Sequence, residues 1–171
     1  SFFTWYVPRY RALSLGAVRW SELRADLYAI QAINDRDAVR AISGQAMIDD
    51  YLKRTFWPEV VEAAKSSMNP ETMPHARMAE LFQGGLAAEE IAVLLKRVAA
   101  KRSNPKSTMP SLTERLANMG HSKPLPFKPI SVSAAQFYLG NACDQCIKLI
   151  DKRSCKKVRA KVIRHANQRG G

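Results

Sequence analysis

Apolar residues in this chain recur mainly every three or four positions, and the alternating pattern of a strand is almost absent. The clearest stretch is Leu86 to Arg102, for which the spacing predicts a helix with acids early and bases late, as the helix dipole favours. Its inward positions are Ile91, Leu94, Leu95 and Val98. Periodicity alone therefore predicts an all-α protein.

Helix start signals divide the rest of the chain. Polar residues suited to cap a helix precede most apolar stripes: Ser21, Asn34, Thr72, Ser111, Ser133 and Ser154. Ser111 and Ser133 are followed three residues later by Glu114 and Gln136, as in a capping box. Pro58 fits the first turn of another helix. Together these signals predict an irregular helical bundle of about seven or eight helices.

The apolar faces of these helices predict what is buried. From Ser21 to about Ile33 the inward face is expected to carry Trp20, Leu23, Leu27 and Ile30. From Asn34 to about Phe56 it carries Val39, Ile42, Met47, Tyr51 and Leu52. Two separate helices are expected after residue 132, one opened by Ser133 and one by Ser154.

Composition suggests four segments. Residues 1–20 are predicted to be an extended aromatic and basic arm, residues 21–103 a central helical bundle, residues 104–131 a basic, proline-containing linker with one short helix, and residues 132–171 a basic C-terminal helical hairpin. Three prolines within residues 121–131 forbid regular structure there. The arm holds too many aromatics for a free tail, so these are expected to dock on protein: Phe2, Phe3, Trp5, Tyr6 and Tyr10.

The formal charge of +12 is unevenly distributed. Residues 22–95 hold twelve acids against seven bases, whereas residues 148–171 hold nine bases and one acid. Because the positive charges of residues 148–171 repel one another and few acids offset them, a polyanionic partner is expected there. The residues expected to contact phosphate are Lys101, Arg102, Lys106, Lys148, Lys152, Arg153, Lys156, Lys157, Arg159, Lys161 and Arg164.

The three cysteines allow more than one interpretation. With His165 they could supply the four ligands of a zinc site, namely Cys143, Cys146, Cys155 and His165. The spacing matches no common zinc finger, and Cys143 and Cys146 share a helical face, so buried structural cysteines are the preferred interpretation. No metal or cofactor is expected.

No signature of an active site appears. The three histidines have no recognisable nucleophile or acid nearby in the sequence, and no phosphate-binding glycine loop is present, so no catalytic residue and no small-molecule substrate are predicted.

The stretch "PRYRALSL" around Tyr10 and Arg11 resembles the start of the LYR family of small mitochondrial accessory and assembly proteins. The likeness covers fewer than ten residues, and Arg9 stands where that family has Leu, so no functional residue is carried over.

These features favour a non-enzymatic structural subunit of a large ribonucleoprotein, a mitochondrial ribosome foremost, whose partners are ribosomal or other structured RNA and neighbouring proteins. The alternative is an accessory subunit of a mitochondrial inner-membrane respiratory or ATP synthase complex, with the basic face on anionic lipid. The acid-free, arginine-containing start is typical of organellar targeting, which favours the matrix side of mitochondria over the cytoplasm. Whether residues 1–20 are a mature arm or a residual targeting segment stays open.

Overall fold

A computed structural model describes residues 2–66, 73–104, 107–126 and 132–169, with the side chains of Arg11, of residues 64–66 and of residues 156–169 outside that description. Within these ranges the regular structure is helical and no strand occurs, which confirms the all-α class. The α-helices are α1 (Phe2–Ala32), α2 (Asp35–Tyr51), α3 (Trp57–Ser66), α4 (Pro74–Gly84), α5 (Ala88–Ala99), α6 (Leu112–Asn118), α7 (Ala134–Leu139) and α8 (Ala142–Arg169). A π-helical turn, Leu52–Phe56, lies between α2 and α3.

The start of the chain differs from the prediction. Residues 2–20 belong to α1, so the expectation of an extended arm is corrected. Pro8 lies inside this helix and removes one backbone hydrogen bond there, and no acid marks the first turn, so the usual start signals are missing. Instead, Phe2, Tyr6 and Tyr10 stack one turn apart, with ring centroids 5.2 and 5.8 Å from one another. Contacts at this spacing support a helix locally.

Several local signals behave as predicted. Asn34 accepts a hydrogen bond from the backbone N–H of Asp37 at 2.9 Å, and both halves of the Ser111–Glu114 capping box form. Ser133 caps α7 through the N–H of Gln136. The proposed cap Thr72 lies outside the described residues. Residues 121–126 have no regular structure, as their prolines require.

The C-terminal hairpin also differs from the prediction. The chain turns at Gly140, whose φ of +49° favours glycine, and α8 then runs without a break through Ser154. The prediction of a separate helix beginning at Ser154 was therefore wrong. A serine that could cap a helix is also tolerated inside one when the flanking residues favour helix, as the lysines and arginines around it do.

The chain forms two compact units, each built from two separate stretches, and their limits do not follow the four predicted segments. Unit 1 is Ser1–Asp50 with Ala88–Lys128. Its core joins α2, α5 and α6 through Ala38, Val39, Ile42, Val98, Leu112, Leu116 and Met119. Unit 2 is Tyr51–Ala87 with Pro129–Gly171, and it contains α3, α4, α7 and α8.

Helix α1 packs in unit 1 by a face that only partly matches the predicted one, because Leu23 and Ile30 are half-buried and Ile30 packs against the core. Trp20 and Leu27 were expected to point inward, but both are exposed, Trp20 by 58%. The face directed at α6 carries Arg19, Leu23 and Asp26, which bond to residues of α6. The packed side of α1 therefore combines ion pairs to α6 with half-buried apolar side chains.

Candidate functional site

The predicted phosphate-contacting residues fall in both units. Lys148, Lys152 and Arg153 lie on α8 in unit 2 and are exposed to solvent. Lys148 and Lys152 are one turn apart, so they share one side of the helix. Five more lie further along the same helix, but their side chains are outside the described part: Lys156, Lys157, Arg159, Lys161 and Arg164. Lys106 is outside it as well.

Lys101 and Arg102 lie in unit 1, just after α5. The Lys101 Nζ contacts Oδ1 of Asp50 at 2.5 Å, and Nε of Arg97 contacts Oδ2 of the same carboxylate at 2.5 Å. Asp50 is only 1% exposed; burial raises its pKa, but hydrogen bonds from Lys101 and Arg97 outweigh that effect and leave the pKa lowered. Lys101 is thus already engaged in neutralising a buried acid inside the fold. The sequence did not predict that Asp50 is buried, because an acidic residue in a helical pattern gives no sign of burial.

Two ion pairs of unit 1 join α1 to α6. Arg115 of α6 donates to Asp26 of α1 through Nε at 2.9 Å and Nη2 at 2.6 Å, a two-pronged geometry that only arginine provides. The Asp26 carboxylate holds the pKa of Arg115 above its ordinary value. Arg19 of α1 donates to Oε1 of Glu114 at 2.7 Å.

Arg19 also organises the loop that joins α5 to α6. Its guanidinium donates to the carbonyl of Ser107 at 3.0 Å and to that of Asn104 at 3.3 Å. Hydrogen bonds from the Ser103 hydroxyl and the Ser111 backbone N–H, ahead of Arg19 itself, lower the pKa of Glu114 to about 2. The loop between α5 and α6, the capping box at Ser111 and the Arg19–Glu114 ion pair therefore depend on one another.

In unit 2 the buried acid is Asp151 of α8, and its partners are different. Oδ1 accepts from the backbone N–H of His75 at 2.8 Å and lies 2.8 Å from Nδ1 of the same histidine. Oδ2 accepts from the N–H of Ala76 at 3.1 Å. Met73, at the N-cap position of α4, makes no side-chain capping bond, so a carboxylate from α8 caps α4 instead. No described lysine or arginine bonds to Asp151.

A groove of about 520 Å³ lies in unit 2 between α4, α7 and α8. Its charged wall residues are Glu80, Asp144 and Lys148. Most of the others are small or neutral: Ala76, Ala79, Gln83, Ser133, Ala135, Gln136, Gly140 and Asn141. The groove thus has mixed rather than positive charge, and of the three α8 cations with described side chains only Lys148 lines it.

The cysteines are half-buried along α8, where the preferred interpretation expected burial. Burial, and the nearby charge of Asp151, raise the pKa of the Cys155 thiol. The side chain of His165, the fourth member of the zinc hypothesis, lies outside the described residues. In the described part of the chain, no three side chains of His, Cys, Asp or Glu gather as metal ligands would.

The predicted docking aromatics are all exposed. Phe2, Phe3, Trp5, Tyr6 and Tyr10 have 41% to 71% of their surface open to solvent, and the aromatic-rich stretch continues to Leu13, which is 83% exposed. The guanidinium of Arg9 lies over the Trp5 ring at 4.5 Å from its centroid. Structure thus brings these residues together along one helical segment.

No protein-family model, curated protein or solved structure matches this chain. In the described residues, no helix has both the length and the apolar character that a membrane span requires.

Proposed function

We propose that this chain is a non-enzymatic structural subunit of a large ribonucleoprotein in the mitochondrial matrix, with an organellar ribosome as the foremost candidate. Its basic C-terminal helix α8 contacts phosphate of structured RNA, and its other surfaces pack on neighbouring proteins. The proposal rests on the sequence and on the contacts described above.

The excess of positive charge on α8 is the observation that supports the proposal. From Lys148 to the end of the sequence there are nine bases and one acid, Asp151. That acid is 2% exposed, and its described partners are His75 and backbone N–H groups rather than a lysine or arginine. Lys148, Lys152 and Arg153 meanwhile face solvent. Such charges repel one another unless an anionic surface lies close by, and RNA supplies phosphates at a matching density.

No described part of α8 carries a base-reading motif, so recognition by shape and backbone is expected rather than by sequence. The purified chain should bind structured RNA with an affinity that falls steeply with salt. For 6 to 10 phosphate contacts, the loss between 50 and 200 mM salt is roughly 10³-fold to 10⁵-fold.

A matched pair of charge-removing variants tests which cations are used. The triple change Lys148→Gln, Lys152→Gln and Arg153→Gln should lower the slope of log affinity against log salt by roughly 2 to 3, because each lost phosphate contact removes about 0.7 to 0.9. The control removes the same charge from exposed positions of unit 1: Arg36→Gln, Lys96→Gln and Lys123→Gln. Equal slopes in the two triple variants would count against α8 as the RNA contact.

The second candidate is an accessory subunit of a mitochondrial inner-membrane complex. The observation in its favour is the exposed aromatic stretch of α1 beside arginine, a combination that lipid headgroups also accept. Nuclease treatment of the native assembly separates the two: a ribonucleoprotein subunit is released, whereas a respiratory or ATP synthase subunit stays and leaves only with detergent.

A further inference from the structure

Eight basic positions of α8 fall into two rows with the same spacing. The first row is Lys148, Lys152, Lys156 and Arg159. The second row is Arg153, Lys157, Lys161 and Arg164. Within each row the steps are four, four and three residues, so successive positions lie one turn apart along one side of the helix. Each position of the second row stands five residues after its counterpart in the first, which sets the two rows about 140° apart around the axis.

The packed edge of α8 lies on the other side of the helix. Asp151, which is 2% exposed and caps α4, belongs to neither row. Leu149 stands two residues before Asp151, so the two positions are on roughly opposite sides of the axis, and Leu149 is 60% exposed. Position 149 is midway between the rows, and Lys152 and Arg153, one from each row, face solvent. The contact with α4 therefore leaves the positions of both rows on the outward side of α8.

The two acids of α8 lie outside the rows as well. Asp144 and Asp151 are seven residues apart, about two turns of the helix, so they lie on the same side. The arc that holds the two rows covers about 220° of the circumference and contains neither acid. Arg169, the last residue of the helix, is the one base of α8 outside this arc. Charge is thus sorted around the helix, with bases over one broad side and acids on the other.

A flat anionic surface matches this arc poorly. A plane touches one side of a helix at a time, whereas the two rows together span about 220°. A helix that binds a membrane surface also turns an apolar stripe toward the lipid. In the described part of α8 the exposed large apolar residues are Leu149 and Ile150, which are adjacent in sequence and point about 100° apart, so they form no stripe.

The groove of a nucleic-acid duplex matches the arc better, because phosphates border it on both sides. A single strand offers one line of phosphates, which one row would meet. In A-form RNA the major groove is deep and narrow, whereas the minor groove is wide and shallow and is where proteins contact phosphate and 2′-hydroxyl groups. A helix that lies along this minor groove has one strand on either side of it.

We infer that α8 binds an RNA duplex and lies along its minor groove, with the first row on the phosphates of one strand and the second row on those of the other. The inference rests on the proposed function, because it names the form of RNA that this helix contacts.

Binding of the purified full chain to matched nucleic acids tests this. The probes are an RNA duplex of about 16 base pairs, each of its strands alone, and the same duplex with 2′-O-methyl groups, which fill the minor groove but keep the A-form. For the duplex we expect a slope of log affinity against log salt of about −7, from eight contacts of about 0.9 each. For a single strand we expect about −3, from four contacts of about 0.7 each. The methylated duplex should bind about tenfold more weakly than the unmodified one, because its minor groove is blocked.

Equal affinity for the unmodified and methylated duplexes would overturn the minor-groove placement. Equal affinity for a DNA duplex of the same sequence would overturn it too, because the groove of B-form DNA that admits a helix is the major groove.

Two double variants test the rows separately. Lys148→Gln with Lys152→Gln removes two cations of the first row. Arg153→Gln with Lys157→Gln removes two of the second. Each pair should lower the magnitude of the duplex slope by about 2, because each lost contact removes about 0.9.

The control for these variants is Lys96→Gln with Lys123→Gln, which removes the same charge from exposed positions of unit 1 and should leave the slope unchanged. If the variant of one row behaved like this control while the other lost slope, contact with two strands would be contradicted.

The outcomes also separate this inference from the proposed function. If the RNA duplex and its single strands bind with equal affinity and slope, the minor-groove inference fails and the ribonucleoprotein proposal stands. If the chain binds no RNA but binds vesicles of phosphatidylserine and phosphatidylcholine, both fail and the membrane-complex candidate is supported.

Discussion

Units 1 and 2 both bury carboxylates between helices, but they satisfy them with different donors. In unit 1, Asp26 and Asp50 are paired with guanidinium and ammonium groups. In unit 2, Asp151 accepts from backbone N–H groups and from His75. Unit 1 thus uses Arg97, Lys101 and Arg115 to satisfy its buried acids, whereas the buried acid of unit 2 bonds to none of the described lysines or arginines. Among the bases of α8 whose side chains are described, Lys148, Lys152 and Arg153 are exposed to solvent.

The largest effect is expected where a buried cation loses its partner. Asp26→Ala should reduce the free energy of unfolding by about 3–5 kcal/mol, because it leaves the mostly buried Arg115 guanidinium without its hydrogen-bonded carboxylate. Urea denaturation followed by far-UV circular dichroism measures it. The control is Asp49→Ala, at an exposed position, which should change the value by no more than about 0.5 kcal/mol. An unchanged urea midpoint for the Asp26 variant would show that the pair contributes nothing.

The anchor of unit 2 should be weaker and should depend on an acceptor rather than on charge. Asp151→Ala is expected to cost about 2–3 kcal/mol, since it removes the cap of α4 and its charge-assisted hydrogen bonds. Asp151→Asn keeps one acceptor oxygen but places an amide NH₂ against one of the two backbone N–H groups, so it should cost about 1–2 kcal/mol, less than the alanine variant. Urea denaturation of both variants makes the comparison, and equal losses would mean that a single acceptor oxygen does not cap α4.

Two lysines sharpen the contrast between internal and available cations. Lys101→Gln should cost about 1–2 kcal/mol of stability, because buried Asp50 then loses its charged hydrogen bond from the Lys101 ammonium. Lys148→Gln should leave stability within about 0.5 kcal/mol but lower the salt slope of RNA binding by roughly 0.7 to 0.9. Thermal unfolding and a salt titration of RNA affinity measure both variants. A reversal of the two effects would contradict the assignment of roles.

The smallest expected effect is a pH dependence in unit 1. The pKa of Glu114 is about 2 in the folded chain against an ordinary 4.5, so the unfolded state binds its proton more readily. Stability from this group is therefore present above about pH 4.5 and is lost as pH falls through about 2. Glu114→Gln should flatten that decline, with a loss at pH 7 of about 1 kcal/mol or less, since the side chain is partly exposed. Urea midpoints at pH 7, 4 and 2.5 test it, with the exposed Glu89→Gln as control. If the stability of the Glu114→Gln variant fell at acidic pH as steeply as that of the unchanged chain, Glu114 would not be the source of the pH dependence.

Sequence reasoning found the parts of the fold that depend on near neighbours. The Asn34 cap and the Ser111–Glu114 box are confirmed, since each involves residues three positions apart. The buried face of α5 at Leu94, Leu95 and Val98 is confirmed for the same reason. The RNA contacts, the assembly and the matrix location remain proposals.

The pattern misled where a long-range partner decided the outcome. Trp20 and Leu27 were expected inside because they are apolar, yet α1 turns its Arg19 and Asp26 side inward. The partners of Arg19 and Asp26 are Glu114 and Arg115, which lie about 90 positions away. The sequence around α1 therefore does not reveal these partners. His75 and Ala76 lie 76 and 75 positions from Asp151, so the sequence around them gives no sign that Asp151 will cap their helix.

The sequence by itself determined that this protein is helical, where most helices begin, and that positive charge gathers at its C-terminal end, because periodicity, caps and charge are local properties of the chain. Only the tertiary structure decided which acids are buried and what they bond to. A carboxylate is buried only where hydrogen-bond donors from distant segments of the chain meet it. In unit 1 Lys101 bonds to buried Asp50, whereas in unit 2 His75 and backbone N–H groups bond to buried Asp151.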